Sequence, residues 1–155
     1  MQDPKSLTSV ALFHQTFKHP VLPEPTIPSA TRCNLRVSLL SEELKELEEA
    51  IENKDLVEIA DALCDLQYVL SGAILEFGLG EKFKSLFDEV QRSNMSKACK
   101  TEEEAKATVA HYKEKGTACF YEKEGDLYLV FREGDHKTLK SVNYSPADLK
   151  GILEK

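Results

Sequence analysis

The chain has 155 residues, 41% of them apolar, with six prolines and a formal net charge of −7. That suits one folded domain with at most a small appendage, and excludes a disordered chain. No apolar run approaches the roughly 18 residues that span a bilayer, and a net acidic chain is a poor nucleic-acid binder, which needs clustered Lys and Arg.

MQDPKSLTSVALF lacks a basic start and a cleavage signature, so no signal peptide is expected. Cys33, Cys64, Cys99 and Cys119 contain no CxxC pair, which argues against a zinc site or a disulfide framework. Reduced thiols in a cytoplasmic protein are the expectation.

Residues 5–18 are predicted to form a first helix, with Leu7, Val10, Ala11, His14 and Phe17 on one face. HPVLPEPTIP follows as a stiff extended connector, because four prolines in ten residues forbid a helix. Ser29 is a predicted N-cap for a helix over about 30–52. Asn53-Lys54 breaks it, and a third helix runs from about 55 to 77, ending at the glycines of FGLGE. EKFKSLFDEVQRSNM is the fourth. In the fifth, TEEEAKATVAHYKEKG, Thr101 is the N-cap and Glu104 its capping-box partner. TACFYEK and LYLVFRE then read as a β-hairpin, KTLKSV as a candidate third strand, and Ser145-Pro146 as the start of a short terminal helix.

Between residues 42 and 65 stand ten carboxylates against two lysines. At about 100° per residue, Lys45, Glu48, Glu49 and Glu52 form a solvated face with Glu42 at its edge. Leu35, Leu39, Leu40, Leu44, Leu47 and Ile51 occupy the opposite arc, and Glu43 and Glu46 fall inside that arc. On the third helix Glu58, Asp61 and Asp65 form a line that Tyr68 continues, with no Lys or Arg from Asp55 to Glu81. Like charges so placed repel one another, and an unpaired charge aimed inward is costly. An antiparallel hairpin of the two helices would gather Glu43, Glu46, Glu58 and Asp61. Oxygen donors without His or Cys select Mg²⁺ or Mn²⁺. A di-iron bundle would need Glu-x-x-His on facing helices. The one such spacing here, Glu133 to His136, lies in a glycine turn.

Glu43-x-x-Glu46 followed by Glu58-x-x-Asp61 resembles the signature of the MazG-like, all-α nucleoside-triphosphate pyrophosphohydrolase superfamily. FHQTFKHP, LRVSLLSEELKELEEAI, DLVEIADALCDLQYVLSGAILEFGL, RSNMSK and NYSPADL are similar to its phosphoribosyl-ATP pyrophosphohydrolase-like subgroup. The resemblance covers about residues 8–100 and the tail. It implies a mainly α protein: a MazG-like four-helix bundle core over 1–100, completed by dimerisation. A 101–155 extension of helix, β-hairpin and terminal helix would pack on the same domain.

It also implies a homodimer or higher homo-oligomer that hydrolyses a nucleoside triphosphate between the α and β phosphates. Metal ligands would be Glu43, Glu46, Glu58 and Asp61, with Glu42 binding a further metal or accepting a proton from water. Asp65 and Tyr68 would support the ligands or contact the nucleotide. Asn94 and Lys97 of RSNMSK would contact phosphate or sugar, and Lys140 and Tyr144, flanking the tail motif, are weaker candidates. Phosphoribosyl-ATP hydrolysis in histidine biosynthesis and a non-catalytic nucleotide- or metal-binding regulator are the alternatives.

Overall fold

The computed structural model describes residues 2–154. They form α1 (Ser6–Phe17), α2 (Ala30–Asn53), α3 (Leu56–Glu76), α4 (Phe83–Met95), α5 (Glu102–Glu114), β1 (Cys119–Glu124), β2 (Leu127–Arg132) and α6 (Leu149–Leu153). The chain divides into two compact units, Met1–Lys84 and Ser85–Lys155. No helix among the described residues is long and apolar enough to cross a membrane.

In the first unit α1 and α2 both pack on α3. Ser29 caps α2 through a bond from the Arg32 N–H at 3.5 Å, as its sequence position predicts. The predicted break is also present: Lys54 takes a left-handed conformation, φ 56°. Asp55 then caps α3, its carboxylate accepting from the Val57 and Glu58 N–H groups at 2.9 and 3.2 Å. Only two residues separate the helices, so α2 and α3 form a tight αα-hairpin.

The proline-rich connector serves the far end of α3. Leu22 N–H donates to Leu75 O, and Thr26 N–H to Phe77 O, both at 3.0 Å. The bond to Phe77 O satisfies a carbonyl that the helix C-terminus leaves unpaired, while Leu75 O also accepts from the Gly78 N–H at 3.1 Å. The fit is close at Gly78, with φ +66°: a Cβ there would stand 1.8 Å from Glu24 O.

The interior of this unit holds a charged group beside apolar residues such as Val10, Ile74 and Leu75. Glu76, 1% exposed, accepts hydrogen bonds from Arg32 and Arg36, both on α2. His14 packs beside them, as its place on the α1 face predicts, with Nδ1 at 2.8 Å from Pro20 O. Gly72 makes room for the pair, since a Cβ would meet Arg36 Nη1 at 2.7 Å and His14 Nε2 at 3.0 Å. Absence of local cations on α3 therefore did not leave Glu76 unpaired, because its partners come from another helix.

In the second unit the tail returns to the end of α4. Tyr144 Oη pairs with Ser93 Oγ at 2.9 Å, and Arg92 donates to Ser145 Oγ and Pro146 O. Between these segments, α5 packs on the β1–β2 hairpin over a core of Cys99, Ala105, Cys119, Val130 and Leu139. All four cysteines are free.

Three local expectations need correction. KTLKSV adds no third strand: it makes one isolated bridge, Phe131 to Thr138, beside a two-stranded sheet. Leu139 enters the core, and Ser141 bonds to Lys97 O and the Glu104 carboxylate, which draws the chain off the sheet edge. Glu104 does not close a capping box on Thr101, since its carboxylate accepts from the Lys100 N–H instead. Ser145 does not cap the last helix. Asp148 does, accepting from the Gly151 N–H at 2.9 Å, while Ser145 is held by Arg92 and Ser96.

Candidate active site

The α2–α3 hairpin carries the acids near its closed end. Glu43 is half-buried, whereas Glu42, Glu46, Glu58, Asp61 and Asp65 are exposed. Glu46 was expected inside the apolar arc of α2. It is exposed because that arc is only partly covered, with Leu44 50% and Ile51 55% exposed beside it.

Partial burial pushes the Glu43 carboxyl above the ordinary carboxylate range, and the negative charges of Glu46, Asp65, Glu42 and Asp61 push the same way. Two of these neighbours belong to α3, so the hairpin brings the acids of both helices within electrostatic reach. Glu46 and Glu58 line one open recess of about 340 Å³ together with Glu49, Asn53 and Asp55. Among the described residues no Lys or Arg side chain pairs with Glu42, Glu43, Glu46, Glu58, Asp61 or Asp65.

Oxygen donors with no basic neighbour suit a hard divalent cation. Among the described residues, however, no three His, Cys, Asp or Glu side chains converge closely enough to hold an ion. The acids of the two helices feel one another's charge without closing into a cage. Mutual repulsion between uncompensated carboxylates favours that spacing.

Tyr68 lies farther along α3, its ring meeting Phe13 of α1 edge-on at 5.6 Å. In the second unit Lys97 Nζ donates to Asn94 Oδ1 at 2.8 Å, so the two RSNMSK candidates are held together. Sequence reasoning missed the Arg32–Arg36–Glu76 group altogether. A single carboxylate inside the apolar run LSGAILEFGLG was the available signal.

The sequence profile of the phosphoribosyl-ATP pyrophosphohydrolase family matches residues 10–94, more than half of the chain. The chain belongs to that family. It thereby falls within the MazG-like all-α nucleoside-triphosphate pyrophosphohydrolase superfamily, and the mainly helical architecture with its small hairpin agrees. No curated protein matches it. The matched segment contains α2, α3 and all six acids, and ends at Asn94, before Lys97, α5 and the hairpin. Members of the family are pyrophosphohydrolases, acting on phosphoric anhydrides of nucleotide-like substrates. They generally depend on a divalent metal ion.

Proposed function

We propose that this protein is a metal-dependent nucleoside-triphosphate pyrophosphohydrolase that removes unwanted nucleotides, cleaving between the α and β phosphates to release a monophosphate and pyrophosphate. The observation that carries this reading is the set of unpartnered carboxylates on α2 and α3, with Glu43 raised by partial burial and, beyond that, by its acidic neighbours. Neighbouring carboxylates with no counter-charge repel one another, and a hard divalent cation bound among them relieves that repulsion.

Glu43, Glu46, Glu58 and Asp61 would hold Mg²⁺ or Mn²⁺. Bound there, such an ion neutralises phosphate charge and lowers the pKa of water. Glu42, one turn before Glu46, takes a proton from the attacking water or adds a ligand. Asp65 orients the ligands and Tyr68 contacts the nucleotide. Asn94 and Lys97 take phosphate or sugar, the lysine supplying a point charge.

The protein works as a homodimer. Leu56 is 77% and Val57 76% exposed at the start of α3, and Leu63 51%. With Leu44 and Ile51 of α2 they leave the hairpin apolar on a surface that a second copy would cover, completing a bundle. Sedimentation of a monomer at micromolar concentration would remove this part of the reading.

Incubating the protein with a panel of canonical and modified triphosphates and Mg²⁺, and detecting pyrophosphate, tests the activity. Orthophosphate release alone contradicts the cleavage position. Turnover confined to phosphoribosyl-ATP assigns the histidine-biosynthesis reaction, and no turnover with any substrate assigns a regulator.

A further inference from the structure

The second unit contains a recess that the acids of the first do not explain. It measures about 430 Å³ and is lined by His111, Tyr112, Lys140, Ser141, Val142 and Tyr144. That size lies in the range of small-molecule sites, roughly 300–1,000 Å³. All six residues fall outside the matched segment 10–94, and two of them belong to α5.

The fold uses the hydroxyl groups around the recess. Tyr112 Oη accepts from the Lys140 N–H at 3.2 Å, and Tyr144 Oη pairs with Ser93. Ser141 Oγ donates to the Glu104 carboxylate, which also accepts from the Lys100 N–H. Two polar groups are left without such a bond among the described residues: the Lys140 ammonium and the His111 imidazole. The ammonium sits 4.3 Å from the centre of the Tyr144 ring, an aromatic face that holds a cation without neutralising it. His111 meets Tyr112 edge-on, with ring centres 5.4 Å apart at 87°. Val142, 46% exposed, adds apolar surface.

A cation with no carboxylate partner, beside aromatic rings and an apolar wall, recognises a flat ring that carries an anion. Base-on-aromatic stacking tolerates any base, and lysine grips phosphate as a point charge. We propose that this recess binds a nucleoside monophosphate, its base against His111 and Tyr112 and its phosphate on Lys140. The choice of nucleotide, and only that, rests on the proposed reaction, whose product is a monophosphate.

Calorimetric titration of the full chain in chelator, with AMP, UMP and inorganic phosphate in turn, tests the site. Expected is saturable binding of at least one monophosphate, tenfold or more tighter than that of phosphate alone. Lys140→Glu should weaken it at least tenfold and His111→Ala several-fold. Both side chains are exposed, so circular dichroism should be unchanged in both variants. Glu46→Gln should bind as the parent chain does. No saturable binding in chelator, phosphate binding as tightly as either nucleotide, or wild-type affinity in both recess variants would overturn the proposal. Loss on Glu46→Gln but not on Lys140→Glu would place the ligand on α2 and α3, overturning this site while sparing the hydrolase reading. Retained chelator-insensitive binding in a chain that turns over no triphosphate would do the reverse.

Discussion

Arg36 of α2 and Glu76 of α3, 40 residues apart, are hydrogen-bonded in the interior of the first unit. Both are buried, and Arg32 donates to the same carboxylate. The pair fastens the open end of the α2–α3 hairpin, opposite the tight Lys54-Asp55 link, and so fixes how the two acid-bearing helices face each other.

Removing one partner of a buried pair strands the other charge. Glu76→Gln should destabilise the protein by about 3–5 kcal/mol in denaturant titration. Burial alone would raise the Glu76 carboxyl, but bonds from Arg32 and Arg36 outweigh it and hold it below the ordinary range. Its stabilisation is therefore complete above the unfolded carboxylate pKa and is lost as pH falls through the lower folded value. A variant as stable as the parent would show the pair to be dispensable.

The Glu43 shift has the opposite sign. A carboxyl raised in the folded state binds more protons folded than unfolded, so stability falls as pH rises through that window. At neutral pH, without divalent ions, Glu43→Gln should melt at a higher temperature than the parent. Mg²⁺ or Mn²⁺ should raise the parent's melting temperature, with the gain reversed by chelator and diminished below about pH 5, where carboxylates protonate. A parent chain indifferent to both ions at pH 7.5 would contradict the ligand assignment.

Glu46→Gln and Asp61→Asn should each abolish pyrophosphate release while leaving the helical circular-dichroism signal intact. Both side chains are exposed, so a folding defect is not expected from either. Global unfolding of both variants would make the acids structural.

Gly78→Ala should be far more damaging than an ordinary surface change. It forces a side chain into the left-handed region and into the Glu24 carbonyl. A loss of about 2 kcal/mol or more is expected, since neither backbone segment yields cheaply. Wild-type denaturant stability would mean that the connector is free to move away.

Arg92 ties the tail to α4 through Ser145 and Pro146, and also pairs with Glu89, whose carboxyl is lowered to about 2 by Arg92 and the Asp148 N–H. Arg92→Ala should speed amide exchange over residues 145–153 with little change in the global melting temperature. Unaltered exchange there would show that Tyr144 and Ser96 suffice.

Helix spans, the Ser29 and Thr101 caps and the β-hairpin could be read from the sequence, because each depends on residues within a turn or two of one another. ExxE followed by ExxD also carried the family assignment. Short-range signals misled where a longer-range contact competed: Ser145 resembles an N-cap, but Arg92 and Ser96 claim it first. What α2 covers, and hence the exposure of Glu46, depended on the partner surfaces packed against it. The burial of Glu76 with Arg32 and Arg36 required chain segments more than 39 residues apart to meet, and the recess of α5 and the tail required Lys140 to reach Tyr112 across 28. Periodicity locates a face, but burial and pairing are properties of whatever other segment comes to lie on it, and that only tertiary packing decides.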